Sequence, residues 1–387
     1  MAAPLTIVVG GYIVAYPLGG MTWHHLNYLL GLHELGHEVW FLEDSGSYSY
    51  PYNPVTWQSS ADSAYGREYL ERTFASYGLP KRYCYYSQFE DAHYGLSASE
   101  LNELLRRADL LLCVSGVTPI REHRPRPRRT AVIDTDPIFT QIRMMRDAEL
   151  LGYYRQFDAV ATFGRLIGTP QCALPTHDMN WIGTNQPIAL RHWPVAAVKS
   201  GAFTTIGKWE HTTDRHVEYK GRRYLSSKGV EWMNMLDLPR RVPWKMTMGM
   251  QAMPEATARV FADHGWKVLD AEKSTLSCQA FGDFIRASAG EFTVAKEIYT
   301  RLPSGWFSDR SSAYLASGRP VVTEASGFDR WLPTGEGLFS FETIDEAAAA
   351  LNGIAKDYPR HAAAARKIAE EHFDAKKVLA ELLAAVL

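Results

Sequence analysis

The chain is short of cysteine, of long apolar runs and of any excess charge, and each shortage removes a class of reading. Its four cysteines, Cys84, Cys113, Cys172 and Cys278, stand far apart with no C-x-x-C pair. That excludes a zinc ribbon or a disulfide framework and reads as reduced thiols. Lys and Arg number 41 against 43 Asp and Glu. Such a balance builds no general basic field of the kind that drives non-specific nucleic-acid binding, so nucleic acid is set aside as a partner. No apolar run approaches the ~20 residues of a membrane span. The opening "MAAPLTIVVGGYIVAY" has no basic leader and is interrupted by Gly10 and Gly11, so it reads as a strand in a cytoplasmic protein and not as a signal peptide. The first loop, "GGYIVAYPLGG", also lacks the tight G-x-G-x-x-G turn of a dinucleotide oxidoreductase, although Glu43 and Asp44 end the next strand where such an enzyme places a ribose-binding carboxylate.

What is present is ordinary globular material in enough length for two domains: 387 residues, 46% hydrophobic and 22% charged. The first half opens with strand "LTIVV", a Gly-containing loop, the helical pattern "MTWHHLNYLLGLHELG" and strand "HEVWFLED". A helix stopped at Gly and turned at once into a β-branched run marks a βαβ unit. The runs "ADLLLCVSG", "RRTAVIDTD" and "FDAVATFG" suit parallel strands buried on both faces. The second half repeats this grammar with "AFTTIGKW", "VPWKMTMGM" and "EATARVFADHGWKVLDAEK", then "RPVVTE" and "GLFSF". Between them, "GTPQCALPTHDMNWIGTNQPIALRHWP" is rich in Pro, Gly and Trp without periodicity and reads as a hinge. The expected fold is α/β, with Rossmann-like domains at 1–190 and 191–365 and a last helical segment, 366–387, packing back on the first domain. Two such sheets place their carboxyl ends against one interdomain cleft, where ligands bind.

The segment "GEFTVAKEIYTRLPSGWFSDRSSAYLASGRPVVTEASGFDRWLPTGEGLFSF" resembles the nucleotide-sugar-binding domain of GT-B glycosyltransferases, with a looser likeness to bacterial spore-maturation glycosyltransferases. Its most telling part is "SSAYLASGRPVVTEASGF", a helix, a small-Gly-Arg-Pro turn, a buried strand and a Gly-containing loop. The resemblance implies a GT-B fold and an enzyme that moves a sugar from an NDP-sugar, UDP foremost, to a hydroxyl of a small-molecule or glycan acceptor such as a natural product. It implies no tightly bound cofactor and no metal. Many retaining members carry Glu-x7-Glu here, but the two positions are Gly305 and Ala313 in this chain, which turns the expectation toward inversion. An epimerase or hydrolase of nucleotide sugars, or a non-catalytic nucleotide-sugar-binding protein, is the alternative on the same architecture.

The residues themselves point the same way. A helix starting near Ser308 offers free amides and a positive dipole end to a diphosphate, and Asp309, Arg310, Ser311 and Ser312 surround that end. Gly207, Lys208 and Trp209 end the first strand of the second half, where the resemblance implies contact with donor phosphates. Glu291 or Glu324 would replace the missing ribose-binding carboxylate, and Lys296 would neutralise pyrophosphate. For the base that inversion needs, His24 and His25 open the first helix directly after Gly19 and Gly20. Adjacent helical residues point about 100° apart, so one of the pair faces the cleft, and His24 is the choice. Asp134 and Asp136 have a D-x-D spacing at a strand end of the first half and are expected to orient the base or bind acceptor hydroxyls, or else to cap a helix. The aromatic clusters "SYSYPYNPVTW" and "YCYYSQF" suit a flat acceptor or a sugar, and equally an ordinary core. The basic run "REHRPRPRR" suits an anionic acceptor or a solvated loop.

Overall fold

The computed structural model describes residues 3–44, 50–209 and 216–387. Eight strands build a first sheet: β1 (Thr6–Gly10), β2 (Glu38–Asp44), β3 (Tyr83–Ser87), β4 (Ala92–Gly95), β5 (Leu110–Val114), β6 (Arg129–Asp134), β7 (Ala159–Thr162) and β8 (Trp181–Gly183), in the order β8-β7-β6-β5-β1-β2-β3-β4. Every pairing is parallel except β3 with β4. The continuous apolar runs are the reason: all five residues of β5, Leu-Leu-Leu-Cys-Val, are buried, as expected where helices cover both faces.

The second sheet is wholly parallel: β9 (Ala202–Lys208), β10 (Lys245–Gln251), β11 (Trp266–Leu269), β12 (Gly290–Thr293), β13 (Val321–Glu324) and β14 (Leu338–Phe341), in the order β11-β10-β9-β12-β13-β14. Its core joins Met246, Met248 and Met250 of β10 to Trp232, Trp266 and Phe292. The segment "ASGRP" serves this packing. Gly318 turns the chain at φ 66°, and the buried Arg319 donates to the carbonyls of Ala196 and Arg286 at 2.7 and 2.6 Å. Arg319 is therefore a structural residue and lines no part of the interdomain cleft.

Helix α1 (Gly19–Glu34) joins the two sheets. The Trp23 indole donates to the carbonyl of Cys278 at 3.0 Å. A Cβ on Gly19 would lie 2.2 Å from the carbonyl oxygen of Ser277, backbone against backbone. Gly19→Ala is therefore expected to lower stability by about 1–3 kcal/mol, because no rotamer change relieves the clash; denaturant unfolding measures it. On its other side α1 packs on the last helix, Ala375–Val386, whose Ala375 and Leu379 come close enough that a Cβ on Gly31 would meet each at 2.6 Å. The same C-terminal chain is tied to the crossing segment by Ile188, which donates to Phe373 and accepts from Ala375 at 2.7 and 2.9 Å. Among the described residues no helix is long and apolar enough to cross a membrane.

Candidate functional site

Each sheet has one place where its strand order reverses, and ligands of open parallel sheets bind outside the strand ends there. In the first sheet that place lies between β1 and β5. The loop after β1 is wound around one buried carboxylate: Glu43 accepts the amides of Ile13 and Val14 at 2.7 Å and of Ala15 at 2.8 Å. Burial lifts the Glu43 carboxyl to about 7 despite those three donors. Asp44 beside it accepts Arg121 twice at 2.6 Å and Arg124 at 2.9 Å. Both carboxylates thus hold the fold, which takes away the ribose ligand an oxidoreductase would need. The basic run is used alike: Arg126 donates to the carbonyl of Gln156 and Arg129 to that of Val386.

The two histidines part company. His25 is fully buried, and its Nε2 accepts the Tyr12 amide at 3.3 Å. Burial, then the neighbouring His24, hold its imidazole well below the usual range. It is a neutral support for the loop and does not face the cleft. His24 lines the cleft, with Nε2 3.1 Å from Ser115 Oγ and Nδ1 3.4 Å from Asp309 Oδ2. Ser115 sits at the end of β5 with φ 66° and also accepts from Thr135 Oγ1 at 3.0 Å.

Asp134 is buried and filled, accepting Thr140 at 2.7 Å, Gln141 at 2.8 Å and Thr162 at 3.1 Å, with burial lifting its carboxyl to about 6. It organises the turn that follows β6 and contacts neither His24 nor the cleft. Asp136 is exposed and accepts the Tyr299 hydroxyl at 3.2 Å. The D-x-D spacing is thus a turn device, and neither carboxylate orients the base.

In the second sheet the reversal lies between β9 and β12, and Arg310 spans it. Its Nε donates to Glu291 at 2.5 Å, Nη1 to the carbonyl of Ile206 at 3.1 Å and Nη2 to Thr293 at 2.9 Å. Glu291 is fully buried behind Arg310, so it positions the guanidinium and does not face a ribose. Gly207, Lys208, Lys228, Lys296 and Arg310 line one cavity of about 230 Å³. Lys228 is the residue the sequence reading missed. It directly precedes the helix Gly229–Asn234, and partial burial, Arg310 and Lys296 together depress its ammonium to about 7. Glu324 lines the adjoining pocket with Ser308 and Lys228; it accepts the Ala295 amide at 2.9 Å, and burial and Glu231 lift its carboxyl to about 7.

The rest of the helix-start cluster divides. Asp309 begins the helix Asp309–Ala316 and accepts the Arg310 amide at 2.8 Å. Burial pushes its carboxyl up, but His24 and Arg310 outweigh it and leave it below the usual carboxylate range. Ser311 and Ser312 are fully buried, and the Ser312 hydroxyl turns back to the carbonyl of Ser308 at 3.0 Å. Neither hydroxyl reaches the cleft. Trp209 is also buried, its ring edge-on to Phe261 at 5.6 Å, and belongs to the core.

The two reversals face each other across a cleft of about 760 Å³. Tyr12, Tyr16, Met21, His24, Tyr52 and Trp57 line one side; Gly207, Lys208, Gln251, Asp309 and Arg310 line the other. Three solved structures share the two-sheet fold. An alpha-glucosyltransferase in complex with UDP and a 13-mer DNA containing a HMU base superposes with a TM-score of 0.60 at 11% identity, over 99% of this chain and 100% of the other. AviGT4, a glycosyltransferase involved in avilamycin A biosynthesis, gives 0.56 at 13%, over 99% and 97%. HepE of Anabaena, solved with UDP and glucose, gives 0.55 at 12%, over 98% and 100%. The chain has the GT-B fold. No protein-family model and no curated protein matches its sequence. The GT-B neighbours also correct one expectation. A glucosyltransferase of this fold is solved with DNA bound, so the balanced charge of the chain is no ground for excluding nucleic acid as a partner.

Proposed function

We propose that the cleft transfers a sugar from a UDP-sugar to an acceptor hydroxyl. The observation that carries this reading is the cavity where Lys208, Lys228, Lys296 and Arg310 converge at the strand reversal of the second sheet. Four cations on one small cavity suit a diphosphate, and the two GT-B neighbours solved with UDP support uridine as its nucleoside. On this reading residues 1–190 carry the acceptor and 191–365 the donor, with the base held by the first and the leaving group by the second.

His24 is the base. His24 stands at the cleft wall with Nε2 3.1 Å from Ser115 Oγ, which accepts from Thr135, and Nδ1 3.4 Å from the Asp309 carboxylate. As the acceptor oxygen attacks the anomeric carbon, its proton passes to the His24 imidazole, the bond from that carbon to the β-phosphate oxygen breaks, and UDP departs onto the lysines and Arg310. Asp309 then faces the imidazolium and stabilises it. Attack from the side opposite the phosphate inverts the anomeric centre, in keeping with Gly305 and Ala313 where retaining members hold two glutamates.

Lys228 gives UDP binding a pH dependence. With its ammonium at about 7 in the free protein, it is charged below that pH, where a diphosphate is favoured, and must take up a proton to bind above it. UDP affinity is expected to fall as pH rises through about 7, by up to ~10-fold per unit. In Lys228→Arg the charge persists and the slope flattens; titration calorimetry at several pH values reads both. The reading as a whole is tested by thermal stabilisation against UDP, GDP, ADP and NAD. UDP is expected to raise the melting temperature most, and a shift with NAD alone would overturn the assignment.

A further inference from the structure

The two sides of the cleft differ in kind. Every lysine, arginine and carboxylate that lines it, Lys208, Asp309 and Arg310, comes from the second sheet's side, and His24 faces Asp309 from the first. The remaining lining from residues 12–59 and 188–193 carries no lysine, arginine or carboxylate among the described residues. It is aromatic instead. Tyr12 and Tyr16 stand edge to face with centroids 5.9 Å apart, and Trp57 is 47% exposed. Tyr52 is fixed toward the second sheet by an amide hydrogen bond from Gln251 at 3.4 Å. Met21, Trp23, Ile188 and Trp193 add apolar surface, Ser59 adds one exposed hydroxyl, and Asn27 already spends its carbonyl on the Ala189 amide at 3.0 Å.

We infer that the acceptor hydroxyl is carried by a flat, uncharged ring system that stacks among Tyr12, Tyr16, Tyr52 and Trp57. This rests on the UDP-sugar reading of the opposite side. A sugar acceptor brings several hydroxyls, each needing a polar partner when buried, and a phosphorylated acceptor needs cations. This side offers no cation and few polar groups beside the tyrosine hydroxyls, Ser59 and the Asn27 amide among them, whereas its aromatic rings suit a π-face of any identity. Two sources present that chemistry: a free polycyclic phenol, and a hydroxymethylated base turned out of a nucleic-acid strand. The second sits in the cleft by its base alone, with its phosphates outside.

The test holds UDP-glucose constant and offers three acceptors: a flavonol, an oligonucleotide containing hydroxymethyluracil, and maltose. UDP release and product mass are followed. Transfer to either flat-ring acceptor is expected to exceed transfer to maltose by at least ~10-fold in kcat/KM, and which of the two is used names the source. Trp57→Ala, on an exposed position that the fold does not depend on, is expected to raise KM for that acceptor by about 5- to 50-fold with the UDP dissociation constant unchanged. Maltose as the preferred acceptor, or an unchanged KM in both Trp57→Ala and Tyr16→Ala, would overturn the inference. If none of the three is glycosylated, tryptophan quenching by the flavonol and by the oligonucleotide in the UDP-loaded protein decides. Quenching supports the stacking site, and its absence in a protein that binds UDP overturns it. A protein that fails to bind UDP fails the donor reading instead.

Discussion

His24→Ala is expected to lower kcat by about 100- to 10,000-fold, the range that a positioned general base contributes, while UDP binds within about 2-fold of the parent affinity. The separation follows from where the side chain sits. His24 contacts Ser115 and Asp309 and is not part of the four-cation cavity. Asp309→Asn is expected to cost less, about 10-fold in kcat, because it removes only the stabilisation of the imidazolium. Steady-state kinetics beside calorimetric titration separates these effects. A His24→Ala protein with less than a 10-fold loss of kcat would remove histidine from the chemistry.

Arg310→Met is expected to do two kinds of damage. It leaves Glu291 buried without its counter-charge, and breaking one partner out of a buried pair costs about 3–5 kcal/mol. It also takes one cation from the phosphate cavity and the tie between Ile206 and Thr293 across the strand reversal. The double variant Glu291→Met with Arg310→Met is expected to regain most of the stability, since an apolar pair replaces an ionic one, but not the affinity for UDP. Urea denaturation and UDP titration of the three proteins check this. Equal UDP affinity in the double variant and the parent would show that Arg310 serves only the fold.

The architecture was legible because its signals are local. "ELGHEVWFLED" and "DHGWKVLDAEK" state a helix stop and a strand start within a few residues, and both became β-strands at those places, β2 and β11. Arg310 was legible as a donor at the start of a helix preceding a Gly turn. Its partners were not, because Glu291 lies 19 residues away and Ile206 lies 104. Ser311 and Ser312 were misread since composition says nothing of the face: this helix is buried through most of its length, and only its first two side chains look out. Lys228 gave no periodic signal at all. It stands in "SSKGV" after the hairpin formed by His216–Tyr219 and Arg222–Leu225, and only the folded sheet brings it beside Arg310. The Asp134 and Asp136 pair shows the opposite error, in which a spacing with a chemical meaning elsewhere here closes a turn through Thr140 and Gln141. The aromatic runs divided in the same way. Tyr83 and Tyr85 of "YCYYSQF" are core residues, whereas Tyr52 and Trp57 of "SYSYPYNPVTW" reach the cleft.

Amide hydrogen exchange with and without UDP tests the central claim most directly. Protection is expected to concentrate in peptides spanning Ile206–Lys208, Ser227–Glu231 and Ser308–Arg310, which carry three of the four cations of the cavity. Protection confined to the loop from Gly10 to Gly20, with none in those three segments, would place the nucleotide on the first sheet and contradict the account.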